Sequence, residues 1–305
     1  MDAKQRAGVT GTKRKRICVS DINGNFDLQE GKQSMRIGKR EFDTDNHTYI
    51  MGILNVTPDS FSDGGRYEKP EAALRHGQEM IEAGADILDV GGESTRPGHQ
   101  QISEEEEIQR VVPVIECLRA EFDVPISVDT YKSRVAKEAL KAGADLVNDI
   151  WGLTYDCELA AVIAEAKAAC CLMHNREKAE YKDFLGDMRR DLERSLKLAL
   201  DAGIEKDRII LDPGVGFGKT YEMNLEAIKH LGSLKTLGYP LLLGASRKSV
   251  IGLTLDLPVD QREEGTLATT VLAVLSGCSF VRVHDVRSNR RAIRMAEAVM
   301  REHEV

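Results

Sequence analysis

From Tyr49 onward, short runs of apolar and β-branched residues alternate with longer stretches whose apolar positions recur at helical spacing. The short runs predict strands over Tyr49–Leu54, Ile87–Val90, Pro125–Val128, Leu146–Val147, Ala169–Met173, Ile209–Leu211, Pro240–Leu243 and Phe280–Val283. Each is followed by enough chain for a crossover helix, most clearly at Glu104–Arg119, Lys132–Ala142 and Asp187–Ala202. The junctions repeat as well. Glu82-Ala83-Gly84-Ala85-Asp86-Ile87-Leu88-Asp89 closely matches Lys141-Ala142-Gly143-Ala144-Asp145-Leu146-Val147-Asn148, and Gly203 and Gly277 sit at equivalent points. There Gly takes the left-handed conformation that ends a helix, and a strand follows.

Near-continuous apolar strands predict a parallel sheet covered on both faces. Eight such strand–helix units predict an α/β fold of the (β/α)₈ TIM-barrel type, with its active site at the carboxyl ends of the strands. A doubly wound open sheet is the alternative. It would place a Gly-rich dinucleotide fingerprint after the first strand, where Gly52-Ile53-Leu54-Asn55 stands instead.

The segment before about Met35 lacks this rhythm and carries Lys13-Arg14-Lys15-Arg16. It has no apolar stretch of the kind a secretory signal needs. Residues 1–35 therefore read as a basic, flexible N-terminal extension, and residues 36–305 as the barrel. Arg16-Ile17-Cys18-Val19 is a candidate extra strand, and the basic run reads as a solvated tail rather than a nucleic-acid or membrane contact.

Composition narrows the picture further. The 305 residues are 42% apolar and 5% aromatic, with a net charge of −8. That balance argues against a broadly basic nucleic-acid surface. No apolar run reaches the length of a membrane span. The cysteines Cys18, Cys117, Cys157, Cys170, Cys171 and Cys278 form no Cys-x-x-Cys pair. Cys170 and Cys171 would face opposite sides of a strand. With His174 they have the wrong spacing for the common zinc motifs. They read as buried, reduced thiols of a cytoplasmic protein.

Polar residues stand at every predicted strand end: Asn55; Asp89 before Gly91-Gly92-Glu93-Ser94-Thr95-Arg96-Pro97; Asp129; Asn148-Asp149; Met173-His174-Asn175; Asp212; Ser246-Arg247-Lys248-Ser249; and Arg282 with His284-Asp285. One Asp or Asn after a strand is ordinary turn or cap chemistry. In a barrel, however, all of these ends converge on one rim. Asp129, Asn148 and Asp212 suit a flat, nitrogen-rich heterocycle, whose N–H donors pair with carboxylates. Arg96, Lys248, Arg282 and His284 suit a phosphate or pyrophosphate.

Two further motifs carry less. Gly214-Val215-Gly216-Phe217-Gly218-Lys219-Thr220 looks like a P-loop, but Pro213 occupies the place of that motif's first Gly. It reads as a flexible loop compatible with a ligand lid. Glu104-Glu105-Glu106-Glu107 follows Ser103 and reads as helix capping rather than a metal cluster.

The motifs together resemble the dihydropteroate synthase family. The carriers are Met51-Gly52-Ile53-Leu54-Asn55-Val56-Thr57-Pro58-Asp59-Ser60-Phe61-Ser62-Asp63-Gly64-Gly65 and Asp89-Val90-Gly91-Gly92-Glu93-Ser94-Thr95-Arg96-Pro97-Gly98. They continue with Asn148-Asp149-Ile150, Asp212-Pro213-Gly214 with Gly216-Phe217-Gly218-Lys219, Ser246-Arg247-Lys248, and Arg282-Val283-His284-Asp285-Val286, all in order. The resemblance implies that 6-hydroxymethyl-7,8-dihydropterin pyrophosphate is joined to 4-aminobenzoate, giving 7,8-dihydropteroate and pyrophosphate. It also implies a target for sulfonamides, which mimic 4-aminobenzoate, and a homodimer.

Carried over by position, Asp129, Asn148, Ile150, Met173, Asp212, Phe217 and Lys248 resemble the pterin-binding set. Asn55 resembles the protein ligand of a Mg²⁺ that also takes the pyrophosphate, and Thr95, Arg96, Arg282 and His284 resemble the anion site. Phe61, Pro97, Phe217, Lys248 and Ser249 resemble the 4-aminobenzoate pocket. Asp63, with Asp129, Asp212 and Lys248, resembles the catalytic set, acting on a cationic, SN1-like intermediate.

Three residues keep second readings on their own chemistry: Lys248 as a Schiff-base lysine of an aldolase, Met173 as core, and His284 as a structural histidine. Two other functions compete with the synthase: a methyltetrahydrofolate–corrinoid methyltransferase and a non-catalytic pterin-binding protein.

Overall fold

The structure is a computed structural model that describes residues 34–56, 68–94 and 101–301. The candidate strand at residues 16–19 lies outside these. Two short strands, β1 (Ser34–Ile37) and β2 (Arg40–Asp43), form an antiparallel hairpin that the strand–helix rhythm did not foreshadow. Eight parallel strands follow: β3 (Tyr49–Asn55), β4 (Ile87–Gly91), β5 (Ile126–Asp129), β6 (Leu146–Asp149), β7 (Ala169–Met173), β8 (Ile209–Asp212), β9 (Leu242–Leu243) and β10 (Phe280–Val283). Their order is β8-β7-β6-β5-β4-β3-β10-β9. A parallel bridge between Leu211 and Leu241 joins β8 to the residue ahead of β9 and closes the barrel.

β9 is shorter than expected. Pro240 has no N–H to give the ladder, and its carbonyl instead accepts from Leu211 N at 3.0 Å.

The helices are α1 (Glu68–Ala83), α2 (Glu104–Glu121), α3 (Ser133–Ala142), α4 (Leu159–Glu165), α5 (Phe184–Asp201), α6 (Tyr221–Lys229), α7 (Ser249–Leu255), α8 (Glu263–Leu275) and α9 (Val286–Arg301). The junction glycines behave as the repeat implies: Gly84, Gly143, Gly203 and Gly277 have φ of 105°, 114°, 93° and 68°. Ser103 caps α2 by accepting from Glu106 N at 3.2 Å.

Side chains alternate between the two sides of each strand. Outward residues such as Ile50, Leu88, Val128, Val147, Cys170, Leu211 and Val281 pack in the large core shared with the helices. Inward residues Met51, Ile87, Leu146, Ala169, Cys171, Ile210, Leu242 and Phe280 form a second core inside the barrel. Cys170 and Cys171 thus fall on opposite faces, both buried, whereas Cys157 is exposed and departs from the expectation of buried thiols.

The inner core is finished from below by the hairpin. Met35, Ile37 and Phe42 alternate along β1 and β2 and join the inward residues. The Phe42 ring meets Tyr49 edge-on at 4.8 Å and Phe280 at 5.6 Å. Arg40 lies over Phe42 at 4.8 Å, and its Nη2 donates to Asp86 Oδ1 at 2.7 Å. The other Asp86 oxygen accepts from Ile50 N at 3.0 Å. The hairpin is therefore a floor that keeps water from the apolar lower half of the barrel.

Truncating that floor should be costly. Phe42→Ala removes a fully buried ring and is expected to destabilise the fold by about 3–5 kcal/mol. Urea unfolding read by circular dichroism checks this, and a loss below about 1 kcal/mol would show that the hairpin is not part of the core.

Candidate active site

Alternation builds the site directly above the inner core. Two positions beyond Ile87, Leu146, Ile210, Leu242 and Phe280 stand Asp89, Asn148, Asp212, Gly244 and Arg282. Asp129 joins this row in register with Gly91 on one side and Asn148 on the other. Asp149, the other residue of that strand end, alternates outward, and its carboxylate accepts from Trp151 N at 2.8 Å and Leu153 N at 2.6 Å.

Arg282 organises the row. Its Nε donates to Asp89 Oδ2 at 2.6 Å and its Nη2 to Asp129 Oδ2 at 2.7 Å. Asn148 Nδ2 reaches Asp89 Oδ2 at 3.3 Å. Among the described residues, Asp89 Oδ1 and Asp129 Oδ1 are buried without a hydrogen-bond partner. Buried acceptors are rarely left so, and these two offer themselves to donors from a ligand.

Burial pushes the Asp129 carboxyl up to about 7, with Arg282 opposing and Asp89 reinforcing the rise. Burial also raises Asp212, against the pull of Lys248 and of Gly214 N, which donates to Asp212 Oδ1 at 2.7 Å. Burial works against the Arg282 charge, but Asp89 and Asp129 outweigh it and hold the guanidinium above its ordinary range.

Lys248 enters from the end of β9. The turn before it places Arg247 at φ 58°, the left-handed region that costs a side chain energy. Arg262 Nη1 stabilises the turn by donating to Arg247 O at 3.0 Å. Lys248 Nζ donates to Val215 O and lies 4.7 Å from the centre of the Phe217 ring. Burial lowers its pKa to about 8, with Asp212 opposing. Tyr131, Ile150 and Met173 form a small apolar cluster against which Trp151 and Phe217 pack. Met173 thus lies beside both Ile150 and Phe217, in the wall of the site and apart from the two larger cores.

His284 Nδ1 pairs with Ser246 Oγ at 2.9 Å, which ties it to the segment that carries Lys248. Asn55 is exposed at the top of β3, beside Gly91. Ser249 begins α7 and is exposed. Phe61, Asp63, Thr95, Arg96 and Pro97 lie outside the described residues. The structure therefore brings together Asp129, Asn148, Asp212, Lys248 and Arg282 with Ile150, Met173 and Phe217. Arg282 is placed between two carboxylates, Asp89 and Asp129.

Sequence reasoning missed several contributors. Asp89, named among the polar strand ends but given no role of its own, is fully buried at the centre of the row. Glu107 does more than favour the start of α2. It is buried and accepts from Lys132 Nζ at 2.7 Å, as does Glu93. Glu93 also accepts from Tyr131 OH at 2.7 Å. This buried network fastens the end of β4 to the start of α3. The Gly-rich loop after β8 is not loose. Tyr181 OH donates to Gly218 O at 2.7 Å, and a Cβ on Gly218 would come 2.3 Å from Arg176 O.

The family profile described as pterin binding enzyme matches residues 51–284. The dihydropteroate synthase of Clostridium beijerinckii is 56% identical over 268 residues, covering 88% of this chain and all of the relative. This chain belongs to the dihydropteroate synthase family. Among solved structures, the dihydropteroate synthase of Clostridium difficile, determined in the presence of pteroic acid, superposes with a TM-score of 0.83 at 52% identity, covering 86% of this chain and 100% of that one. A Yersinia pestis dihydropteroate synthase in a sulfonamide drug complex superposes at 0.82 with 41% identity, covering 88% and 99%. The barrel, the transferase class and the synthase reading are borne out. Both the corrinoid methyltransferase and the non-catalytic alternative give way to it.

Gly244 gives this synthase site its depth. A Cβ there would stand 3.5 Å from Asp212 Oδ2 and 3.8 Å from Lys248 Nζ, in the space between the predicted pterin ligands. Gly244→Ala is expected to keep the melting temperature within a few degrees and to weaken pterin binding about tenfold or more. Calorimetric titration with the pterin pyrophosphate decides this, and unchanged affinity would place the ring elsewhere.

Proposed function

We propose that the chain condenses 6-hydroxymethyl-7,8-dihydropterin pyrophosphate with 4-aminobenzoate, and that the upper inward row holds the pterin. The observation that carries this reading is the pair of unpartnered buried oxygens, Asp89 Oδ1 and Asp129 Oδ1, beside Asn148, Asp212 and Lys248. The ring's amino and N–H donors match the carboxylates, and the Asn148 amide supplies both a donor and an acceptor. Met173, Ile150 and Phe217 supply its apolar walls.

The reaction begins as the bond between the exocyclic methylene and the pyrophosphate oxygen breaks, its electron pair leaving with pyrophosphate. Positive charge spreads over the dihydropterin, where Asp129 and Asp212 stabilise it. Arg282 Nη1, which has no partner among the described residues, faces the task of gripping the leaving anion with His284, Thr95 and Arg96. The weakly basic aryl amine then attacks the methylene and loses its proton to water. Phe61, Pro97, Phe217, Lys248 and Ser249 enclose this amine, and Asp63 supports the cation.

Asn55 fits a Mg²⁺ ligand of a particular kind. Its amide oxygen is a hard donor opposite Gly91, where a Cβ would stand 3.5 Å from it, at ordinary contact distance. No group of three or more His, Cys, Asp or Glu stands ready to cage an ion among the described residues. Such a site suits an ion that keeps waters and takes substrate phosphates. Bound there, Mg²⁺ would neutralise charge on the pyrophosphate.

The reading carries with it a cytoplasmic location and a homodimer. Leu253 on α7, Leu272 on α8 and Met295 on α9 are exposed, on helices that pack side by side. These side chains suit contact with a second copy. Sedimentation velocity should give about twice the chain mass, and a monomer at micromolar concentration would remove this part.

The activity is tested by pyrophosphate release with and without 4-aminobenzoate. Release that depends on the amine, falls with EDTA, returns with Mg²⁺ and is inhibited by a sulfonamide is the expected outcome. Asp212→Asn should lower kcat by about a hundredfold. Absence of any amine-dependent release would overturn the proposal.

A further inference from the structure

Lys219, read from sequence as part of a false P-loop, is turned inward. Its Nζ lies 2.8 Å from His174 Nδ1, 2.9 Å from Gly214 O and 3.0 Å from Phe217 O. An ammonium has three hydrogens, and these acceptors use them all. Donation into Nδ1 assigns the proton of the neutral imidazole to Nε2, which then donates to Asp191 Oδ2 at 3.1 Å. Arg176 Nε donates to the same oxygen at 2.7 Å. A continuous chain thus runs from the loop after β8, through the end of β7, to α5. Burial lowers His174 to about 4, with Asp191 opposing, so the ring stays neutral at physiological pH.

The loop is held from several sides, with Gly216 N donating to Asn224 Oδ1 at 2.6 Å, Phe217 N to Gly214 O at 3.1 Å and Tyr181 OH to Gly218 O at 2.7 Å. The Lys219 ammonium is the contact that ties its Gly214 and Phe217 carbonyls to the His174 ring. Gly214, Gly216 and Gly218 all lie in the left-handed region, at φ 69°, 89° and 52°. Yet this loop sets two residues of the pterin site. Gly214 N positions Asp212 Oδ1, and Phe217 presents its ring to Lys248. Without the ammonium, Phe217 O would lose this donor, and Gly214 O would keep only its bond from Phe217 N.

We propose that Lys219 is a positioning residue of the synthase: its ammonium, braced by His174 and Asp191, templates the glycine-rich loop so that Asp212 and Phe217 stand in place for the pterin. The proposal rests on the reading of the barrel as a dihydropteroate synthase.

A structural lysine with an ordinary pKa would leave no trace in a neutral pH profile. This one should leave one, because burial lowers Lys219 to about 7, with Asp212 and Asp191 opposing and Lys248 and Arg176 adding to the fall. Below about pH 7 the ammonium holds the loop with three donors, and as pH rises through that value one donor and the charge are lost. His174 is already neutral throughout this range. Asp129 near 7 and Lys248 near 8 titrate in this window as well, but they are present in the wild type and the variants alike, so the ratio of affinities reports the change made at Lys219.

The test titrates the full chain and Lys219→Met with 6-hydroxymethyl-7,8-dihydropterin pyrophosphate from pH 6 to 8.5. The fluorescence of Trp151, the chain's one tryptophan, serves as the readout, and circular dichroism checks the fold. At pH 6 the variant should bind about tenfold more weakly, and the ratio should shrink to about threefold or less by pH 8.5. Asp191→Ala, at the partly exposed outer end of the chain, should weaken binding in the same direction by about threefold at pH 6. It carries the test if Lys219→Met fails to fold. Equal affinities at pH 6, or a ratio that does not change with pH, would overturn the role of Lys219. A wild type that binds the pterin but releases no pyrophosphate with 4-aminobenzoate would overturn the parent reading instead.

Discussion

The ion pair of Arg282 with Asp89 and Asp129 is the contact on which the working half of the barrel depends. It joins β10 to β4 and β5 across 193 and 153 residues of sequence. Its contribution is geometric more than energetic. Charges this deep lose their water, and their mutual attraction only roughly offsets that loss. What the pair secures is position. The guanidinium cannot leave one carboxylate without exposing another uncompensated charge, so the inner rim has one arrangement. Two carboxylate oxygens, Asp89 Oδ1 and Asp129 Oδ1, are left buried without a partner among the described residues.

The upper and lower halves of the barrel share strands but differ in chemistry. Below, Met51, Ile87, Leu146, Ile210, Leu242 and Phe280 close on the hairpin and exclude water. Above, most of the next inward side chains are polar or charged, as at Asp89, Asn148, Asp212 and Arg282, or absent, as at Gly244. The dry core beneath gives the polar row a rigid base and lowers the local dielectric. This is why burial leads the causes of the shifts at Asp129, Asp212 and Lys248.

Much of this was legible in the sequence because the strands are short, apolar and end in polar residues. Near-continuous apolar runs and the repeated Gly junctions located the strands, and the strand ends held Asn148, Asp212, Lys248 and Arg282. The hairpin escaped notice because Met35, Ile37 and Phe42 are three isolated apolar residues in strands of four. Their role appears only when the barrel's open bottom is known. Glu107 was readable as a cap residue, but its partner Lys132 stands 25 positions away, beyond any local rule. Lys219 sat in a motif that suggests a phosphate, and only the close packing of Gly214 and Gly218 against the β7 end shows why it turns inward. The expectations at Phe61, Asp63, Thr95, Arg96 and Pro97 rest on resemblance alone.

The stacking of site above floor on the same strands has a consequence for how such a protein can change over generations. Inserting or deleting a single residue within a strand reverses every side chain beyond it. In β4, one added residue between Ile87 and Asp89 would turn Asp89 toward the helices and bring an apolar neighbour under the substrate. Length changes are therefore confined to the connections between strands and helices. The polar inward row can vary only by substitution, one position at a time, while the rim above it is free to grow or shrink.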